Sequence, residues 1–457
     1  MKQPQFTPLF QRITAVYIGC MLTVYLLWPG LGGYAQFTPA KWKLFLLLTL
    51  AYTGGSLLLA LELTVIGRLR PRRPAGLRGL LSVQEWLLLG FWACSALSTL
   101  CAVDRATAFW GSARCGGLVT ITLCCLSALL ISRLGRPRVW MLFLLGGALC
   151  LNCALALSQF AGLNPLRLYP EGMNYYDANR LYAGEFLGTL GNADVLSAVL
   201  SAAVPALWLA LFKLSGRARF LLVVPLILCL VVLAKASVAG GIVGISGALL
   251  LTLPLLPRSR RGRLSAAAAV VLLCTGGLVF LYLYGGRLGG FLYEASEVLH
   301  GRWKDEFGSS RIFIWRHVLE LVPERLLLGG GPDTLGLRME VGFERYDETL
   351  GMVIRSSIDD AHNEYLNILV NQGLLALICY LAMLGRAAVL WAKAAVRDPA
   401  AAICGGAVLG YCIQAFFGVT SPISAPYFWI ALALLTSRLE YSVERKECLC
   451  GKSNSLS

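Results

Sequence analysis

Three histidines and a concentration of acidic residues mark one stretch of this 457-residue chain. His300, His317 and His362, the only histidines, all lie within residues 286–363, together with 13 of the 25 Asp and Glu residues. Histidine changes its charge near neutral pH and serves as a general acid or base. We therefore expect any chemistry in this mostly apolar chain to take place in or beside this stretch.

His362 is the strongest candidate because it comes just before a long apolar run that begins at Glu364. The positive end of a helix dipole disfavours an imidazolium, so a neutral histidine at a wet helix start suits a general base. A histidine that only caps a helix in the headgroup region fits the placement equally well. Asp359 and Asp360 either orient the ring or complement the helix start.

Asn363, Asn367 and Asn371 recur at every fourth position and share one face of the predicted helix. Amides are costly in a bilayer unless they face other helices or a wet cavity. This face is therefore predicted to point inward, where the amides either hold helices together or line an acceptor site.

Four arginines near apolar or aromatic sequence are candidates for binding phosphate: Arg114, Arg180, Arg311 and Arg355. The guanidinium fork matches phosphate oxygens and stays charged at all relevant pH values. Each alone is typical of an ordinary surface ion pair, but together with His362 they suggest a site for a phosphate-bearing lipid. No metal or other cofactor is expected, because no Cys/His or acidic cluster has ligand spacing.

The composition indicates the elements that must position these residues. The chain is 57% hydrophobic and 14% charged, against about 25% charged residues in soluble domains, which predicts an all-α polytopic membrane protein. A span takes roughly 20 apolar residues. The apolar runs predict about twelve spans, at 13–29, 42–66, 83–101, 115–132, 139–160, 189–212, 219–235, 238–256, 264–284, 364–391, 400–419 and 425–437.

The net charge of +15 lies in short connections near residues 68–78, 133–138, 213–219 and 258–263. This is the positive-inside pattern rather than a nucleic-acid surface, and it predicts that both termini are cytoplasmic. The predicted domains follow: residues 1–284 with spans one to nine, 285–363 as a large extracytoplasmic loop, 364–437 with spans ten to twelve, and 438–457 as a cytoplasmic tail.

With these features the chain resembles the O-antigen ligase family of membrane proteins, which also holds polysaccharide polymerases. His362-Asn363 is followed by nine residues and then Gly373-Leu374-Leu375-Ala376, which is similar to the family's His-Asn, nine residues and Gly-x-x-Gly with its last glycine replaced. Ser310-Arg311 with Trp315, Pro323 and Gly329-Gly330-Gly331-Pro332 resembles its outer-loop segment, and Gly188-Thr189-Leu190-Gly191-Asn192 its entry to the sixth span. The related region is predicted at about 220–385.

One motif departs from the family. A Ser-Arg pair commonly opens the eighth span there, and its arginine binds donor phosphate. This chain has Ser237-Val238 instead, with Lys235 nearby as a point charge that lacks the bidentate fork. The departure leaves open whether the donor, or activity itself, is the same.

The resemblance implies a metal-independent glycosyltransferase, ligase-like or polymerase-like, in the bacterial cytoplasmic membrane. It would move a glycan from an undecaprenyl-pyrophosphate donor to a glycan or lipid acceptor hydroxyl on the outer face. The implied catalytic residues are His362 and Arg311, and the implied substrate-binding residues are Lys235, Arg114, Arg180, Arg355, Asn363 and Asn367. The alternatives are a transporter or flippase of lipid-linked saccharides and a catalytically inactive family member.

Overall fold

The computed structural model describes residues 7–66, 81–169, 175–177, 180–182, 188–347 and 352–453, so the basic connection at 68–78 lies outside it. Its α-helices are α1 Thr7–Cys20, α2 Phe37–Val65, α3 Val83–Leu100, α4 Arg105–Trp110, α5 Leu118–Leu134, α6 Val139–Phe160, α7 Ala193–Lys213, α8 Val223–Ala236, α9 Ala239–Thr252, α10 Arg260–Tyr284, α11 Gly290–Leu299, α12 Phe307–Leu321, α13 Leu335–Arg338, α14 Glu364–Ala394, α15 Pro399–Gln414 and α16 Ala425–Ser453. A π-helical turn, Met21–Tyr25, extends α1.

Strands are scarce within the described residues. β1 Tyr175–Asp177 pairs antiparallel with β2 Arg180–Tyr182, and β3 Gly342–Asp347 pairs antiparallel with β4 Met352–Ser357. The hairpins were not predicted, but they are too short to change the class. The protein is a helical, multi-pass membrane protein.

Each of the twelve predicted segments coincides with a helix, but fewer helices qualify as membrane spans. By length and hydropathy six do in the described part of the chain, and three further apolar helices, around α5, α9 and α15, are shorter. The helical class is confirmed, whereas the count of twelve spans and the side of the membrane on which residues 285–363 lie stay predictions.

Helix α7 forms the centre of the bundle, and nearly every one of its residues is buried. Its Ala and Ser residues allow neighbouring helices to approach closely, as small residues do in membrane interfaces. The closest approach is made by α15, where a Cβ added at Gly410 would overlap the carbonyl oxygen of Ser201. This contact brings the end of α15 and the start of α7 to the same end of the bundle.

Helix α14 is broken at Gly373, whose φ of +86° is left-handed. A Cβ at this position would overlap the backbone of Leu327. The backbone groups exposed by the break pair with residues 326–331 through four hydrogen bonds: Gly330 N to Val370 O, Gly331 N to Asn371 O, Leu374 N to Leu326 O, and Leu375 N to Leu327 O. An internal partner for each group is what a helix break within a membrane protein requires.

The described part of residues 285–363, predicted as a loop, is folded and shares a small apolar core with the start of α14. The core contains Ile314 and Val318 of α12, Leu335 of α13 and Val370 of α14. Helix α12 ends just before Pro323, a residue that does not continue a helix. This folded part therefore packs on the first turns of α14 and fixes the backbone around His362.

Candidate functional site

Arg311, His362 and Asp194 converge although they are far apart in the sequence. Arg311 Nη2 lies 3.4 Å and His362 Nδ1 lies 3.8 Å from Asp194 Oδ2. The side chains are largely buried, with 12% of Arg311, 23% of His362 and 7% of Asp194 exposed. Starts of α7, α12 and α14 thus meet in one charged cluster, which we call the Asp194 cluster.

The guanidinium of Arg311 is held firmly in place. Helix α12 is interrupted near its start, because Gly308, Ser309 and Ser310 have left-handed backbone angles. The regular part of α12 begins after Ser310. Arg311 Nε donates to the Phe417 carbonyl at 3.1 Å, and Nη1 donates to the Gly308 carbonyl at 2.7 Å. Since arginine has five N–H donors, this fixed cation keeps donors for a ligand.

The backbone of His362 is strained and is held by its neighbours. Its φ of +47° is left-handed, a conformation that costs on the order of 1–3 kcal/mol outside glycine. Asp360 Oδ1 accepts from His362 N at 2.7 Å, and Trp315 Nε1 donates to the Ala361 carbonyl at 3.0 Å. Such strain persists where the surroundings over-determine it and is common at functional sites.

Asp194 is the member of the cluster that the sequence analysis missed. It lies in the first turn of α7, where Asn192 Oδ1 caps the helix by accepting from Asp194 N at 2.7 Å and Val195 N at 3.2 Å. The sequence did carry a signal for Asp194, because it is a carboxylate at the start of a long apolar span, two residues after the Gly188–Asn192 motif. Its place opposite His362 and Arg311 makes it the group most able to orient both.

Arg114, predicted to bind substrate, is paired with Asp359. Its Nε and Nη2 donate to the two carboxylate oxygens, both at 2.8 Å. Burial disfavours the charged form of both residues. Arg114 nevertheless lowers the pKa of Asp359, and the carboxylates of Asp360, Asp359 and Asp333 raise the pKa of Arg114. This bidentate pair ties the turn before α5 to the segment that carries His362, so Arg114 acts on that segment through Asp359.

The predicted asparagine face does point inward. Asn363 caps α14 by accepting from Leu366 N at 3.1 Å. Asn367 Nδ2 donates to Asp360 Oδ2 at 3.2 Å, and Asn371 Nδ2 donates to Asn367 Oδ1 at 3.1 Å. These amides therefore hold the His362 segment on α14.

A polar cavity of about 70 Å³ lies beneath these amides. Asp333, Asp360 and Glu364 line it together with Asn367 and Asn371. Burial raises the pKa of Asp360 and of Asp333, even though Arg114 and, for Asp333, two backbone N–H groups oppose the shift. The volume and the polar side chains in the wall suit a few ordered waters.

Glu364 anchors the start of α14 in the bundle. It accepts from Tyr380 at 2.6 Å and from Tyr411 at 2.9 Å, and its own N–H donates to the Ala415 carbonyl at 2.8 Å. Sequence reasoning named Glu364 only as part of the run after His362. The buried contacts fix the start of α14, two residues after His362.

Comparison with known proteins bears on this arrangement of residues. Residues 224–381 match the family model described as O-antigen ligase. Over these residues the chain is similar to that family. The matched residues overlap the region predicted at about 220–385 and contain Arg311 and His362, while Asp194 lies before them. No curated protein matches the chain.

The family is one of glycan-transferring membrane enzymes. The match starts in α8. Lys235, the residue predicted to replace the missing family arginine, is the next-to-last residue of this helix. The contact described for its ammonium is with the Phe160 ring, 4.5 Å from the ring centre. Lys235 is therefore placed near the start of α9 but is directed at α6.

Two further predicted arginines lie in hairpins. Arg180 stands opposite Asp177 in β1–β2, and Arg355 stands opposite Glu344 in β3–β4. Their side chains lie outside the described part of the structure. Their predicted roles in substrate binding stay predictions.

The other two histidines make local contacts. His300 Nδ1 lies 2.8 Å from the Ser296 carbonyl and its ring stacks on Tyr282. His317 Nδ1 lies 2.9 Å from Glu320 Oε2, one turn along α12. Within the described residues, no group of His, Cys, Asp and Glu has the arrangement of a metal site.

Proposed function

We propose that this protein transfers a glycan from undecaprenyl pyrophosphate to an acceptor hydroxyl on the outer face of the membrane. The single observation that carries the proposal is the convergence of His362 and Arg311 on Asp194, at 3.8 and 3.4 Å. A base, a fixed cation and a carboxylate that orients both are what a glycosyl transfer with a pyrophosphate leaving group needs.

In the proposed reaction, the acceptor oxygen attacks the anomeric carbon of the donor sugar. The new C–O bond forms as the bond from that carbon to the pyrophosphate oxygen breaks. His362 takes the hydroxyl proton, and undecaprenyl pyrophosphate leaves with the bonding electron pair. No redox partner or further reactant is needed.

Asp194 supports the proton transfer to His362. As the ring gains a proton, the carboxylate 3.8 Å from Nδ1 stabilises the imidazolium through its opposite charge. The separation exceeds a hydrogen bond, and Nδ1 is buried with no hydrogen-bond partner among the described residues. Closure around the substrates that shortens this contact would strengthen the base, as apo sites commonly tighten.

Arg311 is proposed to hold the pyrophosphate. Its anchored guanidinium costs little reorganisation when charge develops on the leaving oxygen. The start of α9 lies close to the segment that holds Arg311. A Cβ added at Gly240 would lie 2.9 Å from the Cβ of Phe417, and the Phe417 carbonyl accepts a hydrogen bond from Arg311. Lys235, at the end of α8, is the proposed second cation, and a turn of its side chain away from Phe160 would be required.

Transfer by the purified full chain tests the proposal. The protein is reconstituted in liposomes with a lipid-linked glycan, and products are separated with the glycan alone or with a separate acceptor added. Longer lipid-linked products indicate a polymerase, and labelled acceptor indicates a ligase. Movement of the donor across the bilayer without transfer would support the carrier alternative, and neither activity would support an inactive family member.

Arginine variants test the pyrophosphate role. Arg311→Ala is expected to reduce transfer by about 10²-fold or more, the scale on which single charge-stabilising donors contribute, and Arg311→Lys is expected to restore only part of it. Arg316→Ala is the matched control, since Arg316 lies on the same helix and pairs with Asp305 at the surface. Equal activity of the Arg311→Ala and Arg316→Ala variants would contradict the assignment.

A further inference from the structure

Two adjoining cavities lie away from the Asp194 cluster. The first is an apolar crevice of about 290 Å³ between α6, α7, α15 and α16. The second is a pocket of about 300 Å³ with Arg12, Arg136 and Arg138 in its wall. Arg138 and Met141 line both, so the apolar cavity and the basic cavity lie side by side, and we call them together the joined cavities.

The apolar part is shaped by small side chains. Ala202, Ala203 and Ala206 of α7 face Ala407 of α15 and Ala431 of α16 across the crevice. Its volume is at the lower end of ligand pockets, about 300 Å³. A narrow, mostly apolar slot suits a single flexible acyl chain.

The basic part is built to receive an anion. Arg136 Nη1 donates to the Gly135 carbonyl at 2.8 Å and to Ser437 Oγ at 2.9 Å, which fixes this side chain in the wall. Arg12 and Arg138 are exposed. The guanidinium groups of this pocket match phosphate oxygens, and Trp140 beside them is typical of the membrane interface.

Among the described residues that line the two cavities, Asp398 is the carboxylate, and it is paired. Asp398, on the rim of the crevice, binds Arg438 Nε. Since Arg438 offsets Asp398, this carboxylate leaves the positive charge of Arg12 and Arg138 at the mouth of the joined cavities in place.

The cavities lie at the other end of the helices from the Asp194 cluster. Helix α7 starts with Asp194 in its first turn, whereas the crevice extends to Leu214 just beyond its end. Helix α15 begins at the crevice with Pro399 and ends beside Glu364. Helix α7, with 21 residues, covers roughly 30 Å, the thickness of the hydrocarbon core. The Asp194 cluster and the joined cavities therefore belong to opposite membrane boundaries.

We propose that the joined cavities bind one anionic diacyl phospholipid. Its phosphate lies among Arg12, Arg136 and Arg138, and one acyl chain enters the crevice. The lipid bridges α1, α6, α7, α15 and α16, so it stabilises the bundle at the boundary opposite the transfer site. The negative net charge selects it over zwitterionic lipids, which also offer a phosphate, because the excess of guanidinium charge attracts the net anion.

Native mass spectrometry of the full chain tests the proposal. Phosphatidylglycerol and phosphatidylcholine of equal chain length are titrated separately, and inorganic phosphate is added as a competitor. We expect phosphatidylglycerol to bind about tenfold more tightly, the effect of one charged hydrogen bond, and millimolar phosphate to leave it bound. Equal affinity for the two lipids would overturn lipid selection by charge, and displacement by phosphate would show that the acyl chain contributes nothing.

Variants separate the two parts of the site. The double variant Arg12→Gln, Arg138→Gln is expected to bind phosphatidylglycerol no better than phosphatidylcholine. Arg261→Gln, at an exposed position outside both cavities, is expected to bind it as the wild type does. Unchanged selectivity in the double variant would overturn the proposed headgroup site.

Filling the crevice tests the acyl chain. Ala431→Leu is expected to weaken long-chain phosphatidylglycerol several-fold and to leave a short-chain analogue unaffected. Ala234→Leu, the same change at an exposed position of α8, is the control. If Ala431→Leu proves unstable, thermal unfolding of the wild type decides: a stabilisation by phosphatidylglycerol that the Arg12, Arg138 double variant retains in full would contradict the proposal.

Discussion

Replacing Gly373 with alanine should destabilise the protein markedly. The residue has φ +86° at the break in α14, where an added Cβ would overlap the carbonyl oxygen of Leu327. Backbone cannot move aside as a flexible side chain does. The substitution therefore forces either the 326–331 segment or the part of α14 next to Gly373 to shift.

The size of the effect follows from two contributions. A left-handed conformation costs a residue with a Cβ about 1–3 kcal/mol. A shift of the 326–331 segment weakens the hydrogen bonds that cover the break, each with a net contribution of about 0.5–1.5 kcal/mol. With two of these bonds lost, the free energy of unfolding should fall by about 2–6 kcal/mol.

Gly385→Ala is the matched control. Gly385 lies in the same helix, its φ is not in the left-handed region, and an added Cβ would meet no atom within 4 Å. Alanine is the better helix former there by up to about 1 kcal/mol, so this variant should be as stable as the wild type or more so. Opposite signs are thus expected from the same chemical change in one helix.

The assay is thermal unfolding of both variants in detergent micelles, followed by far-UV circular dichroism. Gly373→Ala should unfold at a clearly lower temperature than the wild type, and Gly385→Ala should not. A Gly373→Ala variant that unfolds together with the wild type would show that α14 is continuous and that the break is not part of the fold.

Two further predictions concern the support of His362. Trp315→Phe removes the donor to the buried Ala361 carbonyl, at a cost of about 1–3 kcal/mol; kcat for glycan transfer should fall about tenfold with KM nearly unchanged, and an unaltered kcat would contradict this support. Asp359→Asn should lower the unfolding temperature at pH 7. Because Arg114 lowers the folded-state pKa of Asp359 below its unfolded value, the pair stabilises the fold above that value and its contribution is lost as the pH falls through the folded pKa. The two unfolding temperatures should therefore converge in acid, and a constant difference across pH would refute the pairing.

The helices could be predicted because their signal is local. Apolar runs of span length give α6, α7 and α14 within a few residues. The place of His362 at the start of α14 was likewise readable from the change in polarity at residue 364. Each of these features depends on neighbouring residues alone.

The arrangement around His362 could not be predicted because it depends on distant pairs. Asp194 and His362 are brought together by the packing of α7 against α15, which no local pattern encodes. Arg114 was predicted to bind phosphate because it lies near apolar sequence. Its pairing with Asp359 could not be predicted, since Asp359 lies far along the chain. The break at Gly373 was hidden, since the run from 364 to 391 is apolar on both sides of it.

The measurement that tests the account most directly compares His362→Ala with His317→Ala in the reconstituted transfer assay at saturating donor. His362→Ala should lower the rate by about 10²–10⁴-fold, the usual contribution of a general base, and both variants should keep the wild-type unfolding temperature within a few degrees. His317, paired only with Glu320 among the described contacts of its ring nitrogens, should be dispensable. Wild-type rates from His362→Ala would contradict the claim that this residue performs the chemistry.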